Sequence, residues 1–300
     1  MSAPASRRQF LKILAVGAGA LVVGVPLAGA VDAPMPLSML GEHLYELGAY
    51  VRVDPDGSVL IGARDPDTGT GVATSLARII ADELDADWQK VSVVGLGLGV
   101  ENGNGEPRWT YGRQLGGTGD SIPAAWTDLR QAGALARWLL LQAAARRLGV
   151  PATGLRSQAG VVIAPDGRRL GYGELAEAAS KLTAPKDLPA PKTPDRYTLI
   201  GQSAGDVDAR AMVTGQARFA FDAYVGDMLV AVLSHCPWPD GSLESVDTKD
   251  TLAVKGVVKV VQLKPEADQP PGQTVIAPAV AVLANDTWSA LQGAPGIVGQ

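Results

Sequence analysis

Three hundred residues with a formal net charge of −5 and mixed signs suffice for one large or two moderate domains with real cores, and they lack the basic face that nucleic acid requires. One cysteine, Cys236, excludes an intrachain disulfide and reads as a small buried hydrophobe. Two histidines, His43 and His235, neither at ligand spacing from another, argue against a protein-ligated zinc or copper centre, so a metal would arrive inside an organic cofactor.

The chain opens with Ser6-Arg7-Arg8-Gln9-Phe10-Leu11-Lys12, an uncharged Gly-rich apolar run from Ile13 to Ala30, and the small residues Ala28-Gly29-Ala30. Paired arginines ahead of a mild hydrophobic segment and a small-residue cleavage site read as a twin-arginine export signal over 1–30, with Arg7 and Arg8 as its signal residues. The competing reading is a signal anchor, because the apolar run reaches the roughly 17 to 25 residues a spanning helix needs. Gly17, Gly19, Gly24, Pro26 and Gly29 dilute its hydrophobicity and favour release. On either reading residues 1–30 are expected outside the fold. The mature chain then starts near Val31, in the periplasm or on the periplasmic face of the inner membrane.

From Tyr50 to Arg64, alternating apolar residues flank Asp54-Pro55-Asp56-Gly57, which predicts a hairpin. Apolar residues at Val72, Leu76, Ile79, Ile80 and Leu84 predict a helix, with Thr68 or Thr70 available as cap. Val91 to Leu98 reads as a strand and Gly99 to Gly105 as a Gly/Asn-rich loop. A second loop, Gly112 to Ser121, runs into a helix whose Trp126, Leu129, Gly133, Ala136, Leu140 and Ala143 form one stripe, with Pro123 in its first turn and Gly149 at its end.

Gly160 to Tyr172 repeats the hairpin device around Pro165-Asp166-Gly167, followed by a short helix over Glu174 to Leu182. Pro185, Pro189, Pro191 and Pro194 mark an extended linker over 186–195 between a module at 31–185 and a second at 196–300. Beyond the linker, Ala217 to Ala223, Met228 to Ser234, Val257 to Leu263 and Val275 to Ala284 read as strands, and Asp286 to Leu291 as a helix start. Strands with intervening helices in both modules predict an α+β architecture with mixed sheets.

Two glycine loops are the candidate binding residues: Gly69-Thr70-Gly71 and Gly116-Gly117-Thr118-Gly119. Glycines before a helix let the backbone approach a ligand, and free N–H groups at a helix start attract phosphate or a pterin pyrophosphate. Ordinary turn geometry accounts for the same glycines. Neither loop has dinucleotide spacing or a P-loop lysine. The carboxylates Asp65, Asp67, Asp82, Glu83, Asp85 and Asp87 read as a solvated face, without the spacing of a calcium loop. The two histidines and the lack of a G-x-S-x-G elbow disfavour a serine hydrolase.

Taken in order, these pieces resemble the molybdopterin-binding large subunits of the xanthine dehydrogenase superfamily, of the isoquinoline 1-oxidoreductase beta-subunit type. The resemblance rests on the twin-arginine start, Tyr50-Val51-Arg52-Val53 with its turn, Ala81-Asp82-Glu83-Leu84-Asp85-Ala86-Asp87-Trp88, Gly116-Gly117-Thr118, Leu129-Arg130-Gln131-Ala132-Gly133-Ala134 and Tyr172-Gly173-Glu174-Leu175-Ala176. It continues through Leu199-Ile200-Gly201, Val213-Thr214-Gly215, Asp222, Met228-Leu229, Gly256-Val257 and Asp286-Thr287-Trp288-Ser289-Ala290-Leu291.

The resemblance implies an exported molybdenum hydroxylase that oxidises an aldehyde or N-heterocycle, with molybdopterin held at Gly69, Thr70, Gly71, Gly116, Gly117 and Thr118. It implies an iron–sulfur small subunit and a cytochrome c subunit as electron partners, since one cysteine cannot hold a cluster. Residues 196–300 correspond to an incomplete α/β hammerhead-like segment. Two departures stand out. The family's first loop carries glutamine where this chain has Thr70, whose shorter hydroxyl offers a single donor. The family's Phe-Gly-Arg-Arg-like and Gly-Glu motifs are unmatched, so no catalytic residue carries over. The chain reads as an N-terminal portion that needs the remaining large-subunit segment for turnover, or as a noncatalytic scaffold descended from one.

Overall fold

The structure, a computed structural model, describes residues 12–16, 20–24, 49–96, 100–103, 106–109, 111, 114–117, 119–235, 243–263, 278–296 and 298–299. Two compact units divide the chain, Met1–Gln216 and Ala217–Gln300.

In the first unit, β3 (Ala49–Val53) and β4 (Val59–Ala63) form the expected hairpin. Its turn closes through Gly57 N donating to Asp54 O at 2.9 Å and Ser58 N donating to the Asp56 carboxylate at 2.9 Å. Helix α1 (Val72–Leu84) then crosses over to β5 (Val91–Gly95), which pairs parallel with β4. A helical crossover is what a parallel neighbour requires. On the other side of β3 lie β2 (Ala20–Gly24) and β1 (Lys12–Val16), giving the order β1-β2-β3-β4-β5.

Those two strands depart from the expectation that 1–30 stands outside the fold. Leu21, Val22 and Val23 are at most 1% exposed, with Leu21 opposite Val53 and Val23 opposite Val51. A run of β-branched and leucine residues suits a strand buried on both faces as well as it suits a signal. Arg7 and Arg8 lie outside the described residues.

Helix α2 (Ser121–Leu148) packs on α1 and carries the predicted stripe, with Leu129, Ala136, Leu140 and Ala143 buried. The helices approach closely because Gly133 has no side chain: a Cβ there would stand 2.6 Å from Ile80 O and 2.7 Å from Glu83 Cβ. The second Pro-Asp-Gly hairpin joins β9 (Val161–Ile163) to β10 (Arg169–Gly171), with β8 (Arg156–Gln158) completing a small antiparallel sheet. Helix α3 (Tyr172–Ser180) follows, and Tyr172 Oη donates to Leu84 O at 2.6 Å.

Three further expectations are corrected. The loop at 99–105 contains β6 (Val100–Gly103), paired antiparallel with β7 (Glu106–Trp109). Ladder pairing uses backbone groups that Gly and Asn also possess, so a loop-like composition did not prevent it. The Pro-rich stretch at 186–195 is not where the units part. It lies on the first unit, with Lys192 buried, because that side chain and its backbone N–H serve carboxylates of α1 and its C-terminal end. Ala217 to Ala223 forms no strand. Ala220–Asp222 is a 3₁₀ turn closed by Phe219 N donating to the Asp222 carboxylate at 3.0 Å, a local bond that competes with a ladder.

The first unit also contains the short α4 (Ala209–Val213). In the second unit, β11 (Val230–His235), β14 (Ala279–Ala284) and β13 (Val257–Leu263) form an antiparallel sheet in that order. The unit also holds α5 (Lys249–Ala253), α6 (Thr287–Gly293) and the pair β12 (Val246–Asp247) with β15 (Val298–Gly299). Asp286 caps α6 by accepting from Ser289 N at 2.8 Å. The architecture is α+β.

Candidate functional site

The first glycine loop enters α1 through Gly71, but neither Thr68 nor Thr70 caps the helix. Asp67 does. Its Oδ1 accepts from the amides of Gly69, Thr70 and Gly71 at 2.9, 2.9 and 3.2 Å, and its Oδ2 from Ala73 N at 3.1 Å. Partial burial acts to raise this carboxyl's pKa, yet the hydrogen bonds from Ala73, Gly69, Thr70 and Gly71 prevail and hold it below the ordinary carboxylate range. The loop amides expected to face an anionic ligand therefore already face an anion of the chain itself. Thr70 keeps its hydroxyl at the rim, with Asp67 Oδ1 3.5 Å away.

The second loop lies directly against the first. A Cβ on Gly116 would stand 3.0 Å from Thr68 Cγ2 and 3.2 Å from Pro66 O, and Gly117, at φ 82°, is 3.9 Å from Thr68 Oγ1 on the same construction. Leu115 N donates to Asp65 Oδ1 at 3.3 Å, and Gln114 Nε2 donates to Arg64 O at 2.5 Å. Asp65 and Arg64 are themselves a buried pair at 3.1 Å. Ser121, the first residue of α2, donates its hydroxyl to Leu115 O at 2.9 Å. Among the described residues no acceptor takes the Gly116 or Gly117 amide. Thr118 lies outside the described residues.

Beside these loops an open cleft of about 430 Å³ runs between the first turns of α1 and α2 and the segment 199–206, with Thr70, Ser75, Arg78, Ile122, Trp126 and Gln202 among its walls. Its outer wall is fastened to α1. Asp82 Oδ2 accepts from the consecutive amides of Thr198, Leu199 and Ile200 at 3.0, 2.8 and 2.8 Å. Thr74 Oγ1 accepts from Val207 N at 3.0 Å, and Arg78 donates to Leu199 O while its guanidinium lies 5.7 Å from the Trp88 ring centroid. Arg130 stands over Trp126 at 5.2 Å and Tyr197 at 5.4 Å, which holds Trp126 in place.

Behind the wall lies a buried charge cluster that contradicts the solvated-face reading. Asp82 and Glu83 are 0% exposed. Lys192 Nζ meets Asp82 Oδ1 at 2.9 Å and Asp85 Oδ1 at 2.5 Å, its backbone N–H donates to Glu83 at 2.9 Å, and Arg130 Nε donates to Glu83 Oε1 at 2.7 Å. The available signal was that Ile79, Ile80, Ala81 and Leu84 already take most of the circumference of α1, leaving no wet face for the acids between them.

Of the predicted residues, the structure brings Gly69, Thr70 and Gly71 beside Gly116 and Gly117. It supplies no catalytic constellation around them. Among the described residues no group of three or more His, Cys, Asp and Glu could hold a metal ion. His235 ends β11 in the second unit, and His43 and Cys236 lie outside the described residues. The arrangement suits an organic group bearing anionic oxygens: a bare backbone with unclaimed amides at Gly116 and Gly117, a following long helix, and a half-polar cleft alongside.

A family profile for the molybdopterin cofactor-binding domain matches residues 5–204. A nicotinate dehydrogenase large chain of Pseudomonas putida is 34% identical over 228 residues, covering 73% of this chain and 18% of its own length. The beta chain of isoquinoline 1-oxidoreductase from Brevundimonas diminuta is 33% identical over 247 residues, covering 71% and 31% respectively. A membrane-bound aldehyde dehydrogenase (pyrroloquinoline-quinone) of Gluconacetobacter polyoxogenes is 27% identical over 278 residues, covering 90% and 34%. The chain thus spans between 18% and 34% of the length of these curated relatives.

Proposed function

The chain belongs to the molybdopterin cofactor-binding family, and we propose that it is the cofactor-holding portion of a molybdenum hydroxylase large subunit that oxidises an aldehyde or an N-heterocycle. The relatives are oxidoreductases whose names give nicotinate, isoquinoline and aldehyde as substrates. One of those names carries a different organic cofactor, pyrroloquinoline quinone, and the profile matched by this chain's own residues favours the pterin.

The observation that carries the reading is the contact of Gly116 with the Pro66–Thr68 segment, which sets two glycine loops side by side over the start of α2. Molybdopterin, when bound, supplies the oxidation of an electron-poor carbon. The chain's part is to hold it. The Gly116 and Gly117 amides donate to its anionic oxygens, the positive end of α2 complements their charge, and Thr118 completes the loop. Asp67 keeps the amides of the first loop from drawing a second anion. Thr70 offers the cleft one hydroxyl donor, and the wall at 198–200, fixed by Asp82, limits water access from that side.

Electrons leave through an iron–sulfur partner subunit toward a cytochrome c subunit, because one cysteine cannot ligate a cluster. Arg7 and Arg8 direct the loaded complex through the twin-arginine route to the periplasm or the periplasmic face of the inner membrane. The remaining large-subunit segment completes the catalytic site, and the second unit is the hammerhead-like segment. A second reading, a noncatalytic exported scaffold, is favoured by one observation: Asp67 fills the amides of the first loop and Thr70 replaces the family's glutamine there.

The test is metal and pterin content of the full chain purified with its partners coexpressed. Molybdenum and pterin near one per chain, lost in Gly116→Val without loss of the folded complex, is the expected result. A stable complex containing neither establishes the scaffold.

A further inference from the structure

Residues 12–24 carry two incompatible demands. As the apolar half of an export signal they must be presented to a membrane receptor. In the folded unit they are spent. Ala20–Gly24 pairs with β1 on one edge and β3 on the other, and Ala20, Leu21, Val22 and Val23 are at most 1% exposed. A strand with both edges paired and both faces covered offers nothing to a receptor.

The attachment of this hairpin is also local. β1 is the edge of the sheet, and β1 and β2 reach the rest of the sheet through the β2–β3 ladder alone. That ladder slips register between Val23 and Gly24, so Gly24 pairs with Ala49. A register irregularity at a glycine marks where pairing is weakest. Behind it, β3, β4, α1 and β5 keep their own pairings, with Val51 opposite Ile61 and Ile61 opposite Val93.

We propose that β1 and β2 are a withdrawable hairpin: the apolar half of the signal is stored in the sheet while the precursor folds, and export requires its release from β3. The proposal rests on the export reading of Arg7 and Arg8. It converts the signal from a constant address into one that folded chains withhold until the hairpin peels away.

Val22 lies opposite Arg52 and Val23 opposite Val51, and Cα atoms directly opposed in an antiparallel ladder stand within disulfide reach. The experiment uses the full-length precursor with Val22→Cys/Arg52→Cys in a Cys236→Ser background, and Val23→Cys/Val51→Cys as a second pair should the first impair folding. Import into inverted inner-membrane vesicles is measured with the pair oxidised and reduced. The disulfide is expected to form in the folded precursor, to abolish import, and to restore it on reduction. Failure of both pairs to crosslink in a folded precursor overturns the proposal, because β2 is then not beside β3. Import of the oxidised form at the reduced rate overturns it as well. Residues 1–30 fused to a folded reporter separate the two layers: a reporter left in the cytoplasm overturns the export reading itself, whatever the disulfide does, and with it the need for withdrawal.

Discussion

Lys192 Nζ lies 2.9 Å from Asp82 Oδ1, and the two side chains are 2% and 0% exposed. The same ammonium reaches Asp85, while the other oxygen of Asp82 takes three backbone amides from the cleft wall. One carboxylate thus joins a lysine from the Pro-rich stretch and the segment that shapes the cleft.

Lys192→Met should destabilise the first unit by about 3–5 kcal/mol, the usual effect of stranding one member of a buried pair. Urea unfolding of the full chain followed by tryptophan fluorescence measures it. Values near zero would mean that water or another cation replaces the ammonium.

The pH dependence follows from the same carboxyl. Burial acts to raise the Asp82 pKa, but hydrogen bonds from Ile200, Leu199 and Lys192 outweigh it and hold the carboxyl below its ordinary range. A depressed folded pKa gives stability that is present above the unfolded value of about 3.9 and lost as pH falls through the folded one. Asp82→Asn should lower stability at pH 7 and flatten its dependence on pH below about 4, as read from urea midpoints across that range.

Asp67→Ala removes the cap of α1 and should cost about 0.5–2 kcal/mol, with Asp67→Asn less harmful because it keeps an acceptor. The alanine variant also frees the amides of Gly69, Thr70, Gly71 and Ala73. Inorganic phosphate should therefore raise its thermal midpoint more than that of the unsubstituted chain. Equal responses would show that the loop does not bind anions even when vacant.

Gly133→Ala runs against helix propensity. In an exposed helix the change gains about 1 kcal/mol. Here the new methyl meets Ile80 O at 2.6 Å, so α1 and α2 must separate, and a loss of about 1–3 kcal/mol is expected in the same urea assay.

What the sequence made legible was local. Both Pro-Asp-Gly hairpins and the helices at 72–84 and 121–148 follow from turn chemistry and periodicity within short windows. The meaning of Asp82 and Glu83 was not local, since their partners arise from residues 130 and 192–200. Asp67 was overlooked as a cap because threonines nearer the helix met the common pattern and Gly71 displaced the register. Both glycine loops could be found from composition, whereas their contact through Gly116 and Thr68 required the fold. Leu21–Val23 satisfied two templates at once, and only pairing with β3 distinguished them.

The bond between Lys192 and Asp82 spans 110 residues of sequence. Closing so long a segment comes after α1 and α2 have met, because loop entropy disfavours remote contacts until nearer ones have shortened the path. Its strength is therefore felt on the way out of the native state more than on the way in. The cleft wall owes its persistence to slow opening: weakening this contact accelerates unfolding and leaves the refolding rate nearly unchanged.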